Sequence, residues 1–352
     1  MEKIAKLKIV DVVQETNDAV SIHFKQPFFK KVKYTPGQFL TLLVDIEGKT
    51  ERRCYSLNSA PNVDRTMSVT VKRVKDGKVS NYLLDYVKTG TSMKVVYPMG
   101  NFTIQPTPTE RRHVVLFGAG SGITPLMSML KTVLHTESQS IVSLFYANRN
   151  EQSIIFNKEL NQLQAKFGDR LTVVHILKEP GNVEACYSGR IDRSRIGDLL
   201  KEVPRFEKEK TAYYICGPAG MMEEVEEGLK AQGVEDQSIH IERFSAPPSS
   251  AQDEAADSML FQDREVKIVL KGKEHTISVK ANRTILDAAL DHKINLPYTC
   301  MDGICGSCQA TCKLGDVTMR NGHILSKKDL EAKQILPCIC KPLTDGVEVH
   351  YE

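Results

Sequence analysis

The chain has 352 residues, 41% of them hydrophobic, and its 47 Lys and Arg against 44 Asp and Glu give a net charge of +3. This charge is too small and too evenly spread to predict a nucleic acid or an anionic membrane as partner, and no apolar run approaches the ~18 residues that span a bilayer. The nine cysteines are an odd number, and no basic-then-apolar signal precedes the first strand-like run. We therefore expect a cytoplasmic protein of two or three domains.

Residues 1–109 alternate between apolar and polar positions, which is the pattern of half-buried strands. The alternation is clearest in residues 20–24 and 67–71, and Pro-Gly at 36–37 and Asp-Gly at 76–77 provide turns. We therefore predict a small antiparallel β-barrel as the first domain.

Two motifs in this region carry residues suited to a phosphorylated ligand. Arg53-Cys-Tyr-Ser56 follows a strand, and Gly77-Lys-Val-Ser-Asn-Tyr82 opens a short helix. Arginine offers a planar fork of donors to phosphate, and tyrosine offers a flat stacking surface. Taken alone, Tyr55 would be a core aromatic residue and Ser80 a helix cap.

In residues 110–244, apolar strands alternate with amphipathic helices, which is typical of a doubly wound, parallel α/β sheet. The first strand runs into the glycine-rich loop at 118–125, where glycines let a pyrophosphate approach a helix N-terminus. The helix after it carries Met127, Leu130 and Leu134 on one face. Taken alone, the loop is equally compatible with a tight strand-to-helix turn that binds no ligand. The predicted strands are Val114–Phe117, Ile141–Ala147, Leu171–Leu177, Ala212–Cys216 and Ile239–Phe244.

Residues 245–262 are small, polar and acidic and offer little to bury, so we predict a flexible linker there with a root-mean-square span of ~25 Å. A last domain, residues 263–352, begins with a predicted hairpin turning at Gly272. A helix capped by Thr284 follows it.

Four cysteines of this last domain have the spacing C-x4-C-x2-C, then 29 residues and one more Cys, which is that of a plant-type [2Fe–2S] ligand set. Gly303 and Gly306 stand between ligands, where a chain wrapping a cluster needs positive φ. We expect the fourth ligand to come from a distant strand. A zinc site is the alternative interpretation of closely spaced cysteines. The four predicted ligands are Cys300, Cys305, Cys308 and Cys338.

Two more thiols, Cys312 and Cys340, stand close to this set, and the spacing leaves their roles open. On a strand, Cys340 would point to the same side as Cys338. We predict Cys338 as the ligand, because the two positions would differ by ~6.5 Å along a strand.

The last ninety residues resemble plant-type ferredoxins, and the first 244 resemble the ferredoxin–NADP reductase superfamily, whose flavin motif is R-x-Y-[ST]. Three further segments agree with this resemblance: residues 98–102, 216–221 and 242–244. It implies a β-barrel flavin domain, an α/β nucleotide domain and a β-grasp ferredoxin domain.

Carried over residue by residue, the resemblance implies that Arg53 pairs with the pyrophosphate of FAD. Tyr55 would pack against the isoalloxazine, with Ser56 near its reactive nitrogen N5. Val79 and Ser80 would contact the FAD phosphates at a helix start.

The resemblance also implies a pyridine-nucleotide site. The diphosphate loop would hold Gly118, Gly120 and Thr124, and Cys216 would lie beside the nicotinamide. Cys216 is expected at the catalytic centre with Tyr55 and Ser56, yet not as a nucleophile, because hydride transfer needs positioning. The remaining implied cofactor contacts are Gly217, Pro218 and Phe244.

Coenzyme choice depends on the residue that ends the second strand of the nucleotide domain, where an acid favours NADH and an arginine favours NADPH. Arg149 stands at this position and Arg190 follows a nearby glycine. We predict NADPH as the coenzyme. NADH is the alternative if Arg149 is an ordinary surface residue.

The domain order resembles that of oxygenase reductases, such as those serving phenylacetyl-CoA epoxygenases and 3-ketosteroid hydroxylases. It implies electron flow from NAD(P)H through FAD and [2Fe–2S] to an oxygenase, for which we predict non-haem iron. The segment 263–352 has 13 Lys and Arg against 12 Asp and Glu, a net charge of +1, unlike acidic soluble ferredoxins. Two alternatives are an electron-transfer subunit of a fixed complex and a redox-sensing module.

Overall fold

The computed structural model describes residues 3–27, 31–181, 186–204, 206–207, 210–244, 262–320, 323–325 and 327–351. By their contacts these residues form two compact units, Lys3–Arg243 and the described part of Phe244–Glu352. Nearly all of the predicted linker, residues 245–261, lies outside the described residues.

The first unit begins with a six-stranded antiparallel sheet in the order β4-β3-β6-β1-β2-β5. An antiparallel bridge between Leu57, just after β4, and Val69 of β5 joins the outer strands and closes the sheet toward a barrel. Alternate apolar side chains fill its interior, and helix α1 (Lys78–Tyr86) packs against it. The strands are β1 Ile4–Thr16, β2 Ala19–Phe24, β3 Phe39–Ile46, β4 Lys49–Ser56, β5 Met67–Lys72 and β6 Ser92–Met99.

The rest of the first unit is a six-stranded parallel sheet in the order β10-β9-β8-β7-β11-β12. The order reverses beside β7, which creates the crevice where such sheets bind ligands. The strands are β7 His113–Ala119, β8 Ile141–Asn148, β9 Leu171–Leu177, β10 Cys186–Ser188, β11 Thr211–Cys216 and β12 Ile239–Glu242. The helices are α2 Ile123–Thr136, α3 Asn157–Phe167, α4 Ile196–Leu199 and α5 Ala219–Ala231.

Two details of this sheet differ from the prediction. Strand β12 ends at Glu242 rather than Phe244, because its pairing with β11 stops where β11 itself ends at Cys216. Helix α2 is buried on every side through residues 123–134 rather than on one face, because it packs against the parallel sheet and also contacts the barrel.

The second unit is built on a mixed five-stranded sheet in the order β14-β13-β19-β15-β17, with a separate pair β16-β18. The predicted hairpin and the cap are present: Thr284 Oγ1 accepts a 3.1 Å hydrogen bond from Asp287 N at the start of α6. The strands are β13 Arg264–Leu270, β14 Lys273–Val279, β15 Ala310–Leu314, β16 Val317–Met319, β17 Gln334–Ile335, β18 Cys340–Pro342 and β19 Val347–Tyr351, and the helices are α6 Ile285–Asp291 and α7 Lys327–Glu331.

The expectation that Cys338 lies on a strand is wrong. Cys338 sits in the turn between β17 and β18, and Cys340 is the first residue of β18. The turn frees the backbone of Cys338 from a sheet ladder, so two-residue spacing along a strand does not describe the relation between these thiols.

Within the described ranges, no helix combines the length and the apolar character needed to cross a lipid bilayer.

Candidate functional site

The predicted flavin motif occupies the end of β4. Arg53 and Tyr55 are two residues apart on the strand and so project from one face, while Ser56 ends it and is buried. Burial raises the pKa of the Tyr55 phenol above its ordinary value. The Arg53 side chain keeps 53% of its surface exposed. The motif therefore presents an enclosed aromatic ring next to an accessible guanidinium.

This guanidinium is the end of a chain of ion pairs that runs through Glu51 to Lys78. Arg53 Nη1 is 3.9 Å from Glu51 Oε2, and Lys78 Nζ is 3.6 Å from Glu51 Oε1. Lys78 is the first residue of α1. Lys78 Nζ also lies 3.2 Å from Glu47 Oε2, so a phosphate bound at this helix N-terminus would have to replace carboxylate partners of the two cations. Lys78 was not predicted from sequence, although it stands within the motif that opens α1.

Val79 and Ser80 lie in the first turn of α1, and both are buried. The Ser80 hydroxyl donates to the carbonyl oxygen of Gly77 and accepts from the backbone N–H of Val74, each at 3.2 Å. The hydroxyl thus already stabilises the turn before the helix. Its predicted contact with an FAD phosphate stays a prediction.

A cavity of about 1250 Å³ opens at the carboxyl edge of the parallel sheet. Four residues of the predicted nucleotide site line it: Gly120, Arg149, Arg190 and Pro218. The cavity lies at the crevice where the strand order reverses, which is where open α/β sheets bind nucleotides. The structure therefore brings these four residues, distant in sequence, to one concave site.

Two lysines that were not predicted also line this cavity. Lys178 follows β9, one strand beyond the strand of Arg149. Lys72 ends β5 of the antiparallel sheet, and its Nζ is 3.7 Å from the position a Cβ would take on Gly120. It is also 3.7 Å from Asp18 Oδ2. The cavity is thus lined by a lysine from the barrel, Lys72, and by a lysine from the parallel sheet, Lys178.

The glycine loop at the start of α2 is shaped by close approach of backbone to backbone. Gly120 has φ +53°, a conformation that favours glycine. A Cβ on Gly122 would lie 2.1 Å from the carbonyl oxygen of Cys216. The hydroxyl of Thr124 is buried and donates to Ser121 O at 3.0 Å. In this structure Thr124 therefore stabilises the loop itself.

Cys216 ends β11 between its two neighbouring strands, opposite Gly118 of β7 and Glu242 of β12. Its thiol is fully buried, and burial, followed by the Glu242 carboxylate, raises its pKa well above the ordinary value. Such a thiol stays protonated and suits packing better than nucleophilic attack. Burial also raises the pKa of Glu242 to about 8.

Two predicted cofactor contacts remain: Gly217 lies in the first unit, and Phe244 lies in the second. Gly217 follows Cys216, and a Cβ there would lie 2.4 Å from Met221 Cε, so the backbone approaches α5 closely. Phe244 lies two residues beyond β12, is 39% exposed and belongs by its contacts to the second unit. Its place at the flavin stays a prediction.

The four cysteines of the predicted ligand set come together in the second unit. Contact with Cys305 lowers the pKa of Cys300, and contact with Cys338 lowers that of Cys308. Cys300 in turn raises the pKa of both Cys305 and Cys338. The sulfurs are close enough to share protons in pairs, although in the described part of the chain no group of three or more His, Cys, Asp or Glu forms a site for one metal ion. A two-iron cluster joins two pairs of thiolates rather than four ligands of one ion.

The loop around these sulfurs has the backbone that the sequence predicts. Gly303 and Gly306 have φ of +74° and +70°. The backbone N–H of Asp302 donates to Cys300 Sγ at 3.3 Å, and that of Cys300 donates to Cys305 Sγ at 3.5 Å. Met301 also adopts a positive φ of +58°, which the sequence did not indicate. Amide hydrogens directed at sulfur fit a negatively charged cluster.

The two extra thiols, Cys312 and Cys340, are buried as well, and their exclusion from the ligand set stays a prediction. Cys312 Sγ donates to the carbonyl oxygens of Leu314, at 3.4 Å, and Gly315, at 3.6 Å. Cys340 is fully buried, and burial raises the pKa of its thiol. Both therefore behave as core thiols.

Three family models match the chain in the order of its three sheets. The oxidoreductase FAD-binding domain matches residues 6–104, the oxidoreductase NAD-binding domain 116–227, and the 2Fe-2S iron-sulfur cluster binding domain 268–343. Fold and sites together define an oxidoreductase that uses FAD, a [2Fe–2S] cluster and a pyridine nucleotide. These three cofactor predictions and the predicted fold class are confirmed.

Two curated relatives match along nearly their full length. The chain is 34% identical over 355 residues to a component of the 1,2-phenylacetyl-CoA epoxidase of Escherichia coli K12, covering 100% of this chain and 99% of the relative. It is 37% identical over 363 residues to the ferredoxin reductase component of 3-ketosteroid-9-alpha-monooxygenase from Mycolicibacterium smegmatis, covering 99% and 97%. The chain belongs to the family of reductase components of multicomponent oxygenases.

A solved structure shows the same fold along the whole chain. Phthalate dioxygenase reductase superposes with a TM-score of 0.65 at 22% identity, covering 99% of this chain and 98% of that one. The prediction of an oxidoreductase that transfers electrons within an oxygenase system is confirmed by the family.

Proposed function

We propose that this reductase takes electrons from NADPH and delivers them to a non-haem iron oxygenase that acts on an aromatic acyl-CoA thioester or another ring compound. The observation that carries the proposal is identity over the full length, at 34% and 37%, to relatives named for a phenylacetyl-CoA epoxidase and a ketosteroid monooxygenase. Both names describe substrates with rings.

At the flavin, the proposed division of labour follows the geometry of β4 and α1. Arg53 and Lys78 hold the pyrophosphate, because both are cations near the start of α1 and would exchange the Glu51 carboxylate for phosphate oxygens. Tyr55 provides the stacking surface, with Ser56 beside it at the strand end. Val79 and Ser80 complete the phosphate contacts from the first turn of α1.

At the pyridine nucleotide, the glycine loop before α2 holds the diphosphate, and Lys72 from the barrel adds a cation to it. Arg149, Lys178 and Arg190 line the same cavity, where the 2′-phosphate of NADPH requires positive charge. Strand β8 ends at Asn148, and Arg149 and Asn150 follow, so no carboxylate stands at the position that selects NADH. These charges favour NADPH.

A bound flavin converts the two electrons of a hydride donor into single electrons that a [2Fe–2S] cluster accepts. The residues of the chain position the partners and exclude competing chemistry. Cys216 lies beside the proposed nicotinamide position, where its buried and protonated thiol does not act as a nucleophile. Cys300, Cys305, Cys308 and Cys338 are the proposed ligands of the cluster.

The test is steady-state turnover of the purified chain with NADPH and NADH, using ferricyanide and cytochrome c as acceptors, followed by anaerobic electron transfer to purified oxygenase components. We expect a higher kcat/KM with NADPH and rapid oxidation of the reduced protein by a non-haem iron oxygenase. Equal or better use of NADH would contradict the coenzyme assignment. Transfer only to a haem oxygenase would contradict the partner assignment.

A further inference from the structure

Arg190 reaches the nucleotide cavity from a short loop, residues 188–192, at the end of β10. The four residues after this strand all line the cavity. The loop is fixed to the sheet at its start, because the backbone N–H of Gly189 donates to the carbonyl oxygen of Leu177 on β9 at 2.8 Å. Two residues later, Ile191 is buried in the core on one side of the parallel sheet. The backbone of this loop therefore determines where the exposed side chain of Arg190 begins.

A second arginine, Arg195, holds the main chain of this loop. Its Nη1 donates to the carbonyl oxygen of Ser188 at 2.6 Å and to that of Arg190 at 3.5 Å. The two carbonyl groups stand on either side of Gly189, which has φ +110°. A Cβ on Gly189 would lie 3.1 Å from Arg195 Nη1. A glycine at this position therefore leaves room for the guanidinium and permits the backbone conformation.

Arg195 is itself held by the residue that ends the loop. Asp192 caps the single 3-10 turn Arg193–Arg195, and its Oδ1 accepts from the backbone N–H of Arg195 at 3.2 Å and from the hydroxyl of Ser194 at 2.5 Å. Asp192 Oδ2 is also 3.9 Å from Arg195 Nε. Ile196, next in the chain, is fully buried. The loop and the turn after it therefore form one hydrogen-bonded unit that Arg195 closes.

The contacts of Arg195 suit support of Arg190 better than binding of a ligand. The described residues that line the cavity include Arg190 but not Arg195. The Nη1 group of Arg195 is directed at main-chain carbonyl oxygens of the protein itself. A side chain carried by a loop binds its ligand well only where other residues fix that loop.

We propose that Arg195 is a positioning residue for coenzyme choice, which fixes residues 188–192 so that Arg190 meets the 2′-phosphate of NADPH. The inference rests on the proposed NADPH site. NADH lacks this phosphate and so gains nothing from a well-placed Arg190. The charge of Arg195 also favours an anion through space, so the experiment has to separate position from charge.

The first test compares KM and kcat for NADPH and NADH, with ferricyanide as acceptor, in the purified holoprotein and in Arg195→Met, which keeps a long stem and removes the donors. We expect the KM for NADPH to rise about three- to tenfold, a part of the cost of losing the Arg190 contact itself. The kcat and the KM for NADH should not change. Arg193→Met is the matched control on the same turn, because Arg193 is paired with Glu227 at 2.7 Å and does not line the cavity. An equal rise for both coenzymes would give Arg195 a structural role only and overturn the inference.

The second test repeats Arg195→Met in an Arg190→Ala background. Arg190→Ala alone should raise the KM for NADPH and not that for NADH, and adding Arg195→Met should then change neither, because no guanidinium remains to be positioned. An effect of full size in the double variant would assign the role to the charge of Arg195 and overturn the inference. A selective effect of Arg190→Ala without one of Arg195→Met overturns the inference and leaves the proposed coenzyme site standing. An unchanged KM for NADPH in Arg190→Ala overturns that site itself.

If Arg195→Met does not retain FAD, Arg195→Lys takes its place in both backgrounds. Lysine keeps the charge, but its one nitrogen cannot face Asp192 and the carbonyl oxygen of Ser188 from separate atoms, as Nε and Nη1 of Arg195 do. We again expect a rise in the KM for NADPH alone that disappears in Arg190→Ala. A KM equal to that of the wild type overturns the inference.

Discussion

The hydroxyl of Ser128 donates a buried hydrogen bond of 2.6 Å to the carbonyl oxygen of Ser59. Ser59 comes three residues after the flavin motif, and Ser128 lies on α2, the helix that begins at the diphosphate loop. One turn further along α2, Lys131 Nζ is 2.8 Å from Asp64 Oδ2. The segment proposed to hold the flavin and the segment proposed to hold the nucleotide are thus fixed to each other by polar contacts.

Ser128→Ala should lower the free energy of unfolding by about 1–3 kcal/mol, because it leaves the buried carbonyl of Ser59 without its donor. It should also slow flavin reduction by NADPH in stopped-flow measurements. The control is Thr132→Ala on the same helix, whose hydroxyl donates to the carbonyl oxygen of Ser128 within α2. Equal flavin-reduction rates in the two variants would mean that the contact does not set the geometry of transfer.

Arg53→Ala should weaken retention of FAD while leaving iron content unchanged, because Arg53 and the cluster cysteines lie in different units. The measurements are flavin and iron per chain after gel filtration. Lys49→Ala at the other end of β4 serves as the control and should keep its flavin. Loss of iron together with flavin would show that the two units depend on each other.

Arg149→Ala should raise the KM for NADPH about ten- to a hundredfold and change the KM for NADH little, because a charge-assisted phosphate contact is worth about 1.5–3 kcal/mol. Arg193→Ala is the control, since Arg193 is paired with Glu227 at 2.7 Å and does not line the cavity. Equal effects on the two coenzymes would make Arg149 a surface residue.

Cys338→Ser should abolish or badly destabilise the cluster and stop cytochrome c reduction, while ferricyanide reduction through the flavin persists. Cys340→Ser and Cys312→Ser should keep the visible spectrum of the cluster, because neither thiol belongs to the proposed ligand set, which follows the C-x4-C-x2-C spacing and Cys338. Iron lost from Cys340→Ser but kept in Cys338→Ser would reverse the assignment.

Glu242 should make stability fall as pH rises. Its pKa is about 8 in the folded protein against an ordinary 4.5, so between these values the folded state binds more protons than the unfolded state, and stability declines by up to about 1.4 kcal/mol per pH unit. Urea unfolding of the unit that contains Glu242, measured from pH 5 to 8, should show this slope in the wild type and a flatter one in Glu242→Gln. The exposed Glu223→Gln should retain the slope of the wild type; a wild type without it would contradict the shifted pKa.

Local sequence patterns were sufficient to predict most of the fold. The strand Leu171–Leu177 has the predicted bounds, and the cap at Thr284 is present, because alternation and capping are properties of neighbouring residues. The cluster cysteines were predicted because three of the four belong to one short loop.

What the sequence could not show depends on contacts between distant segments. Lys72 reaches the loop of Gly120 from another sheet, and nothing in the local sequence of β5 indicates a phosphate. The burial of α2 on every side follows from packing against two layers. The turn at Cys338 breaks a run that by composition resembles a strand.

Each of the two units is built around side chains of its own. The described core of the second unit draws only on residues 266–351, and the described cores of the first unit draw only on residues 5–241. Separate cores predict that the flavin and the cluster are inserted independently of each other. A chain produced without iron should therefore still bind FAD and take up its cluster afterwards.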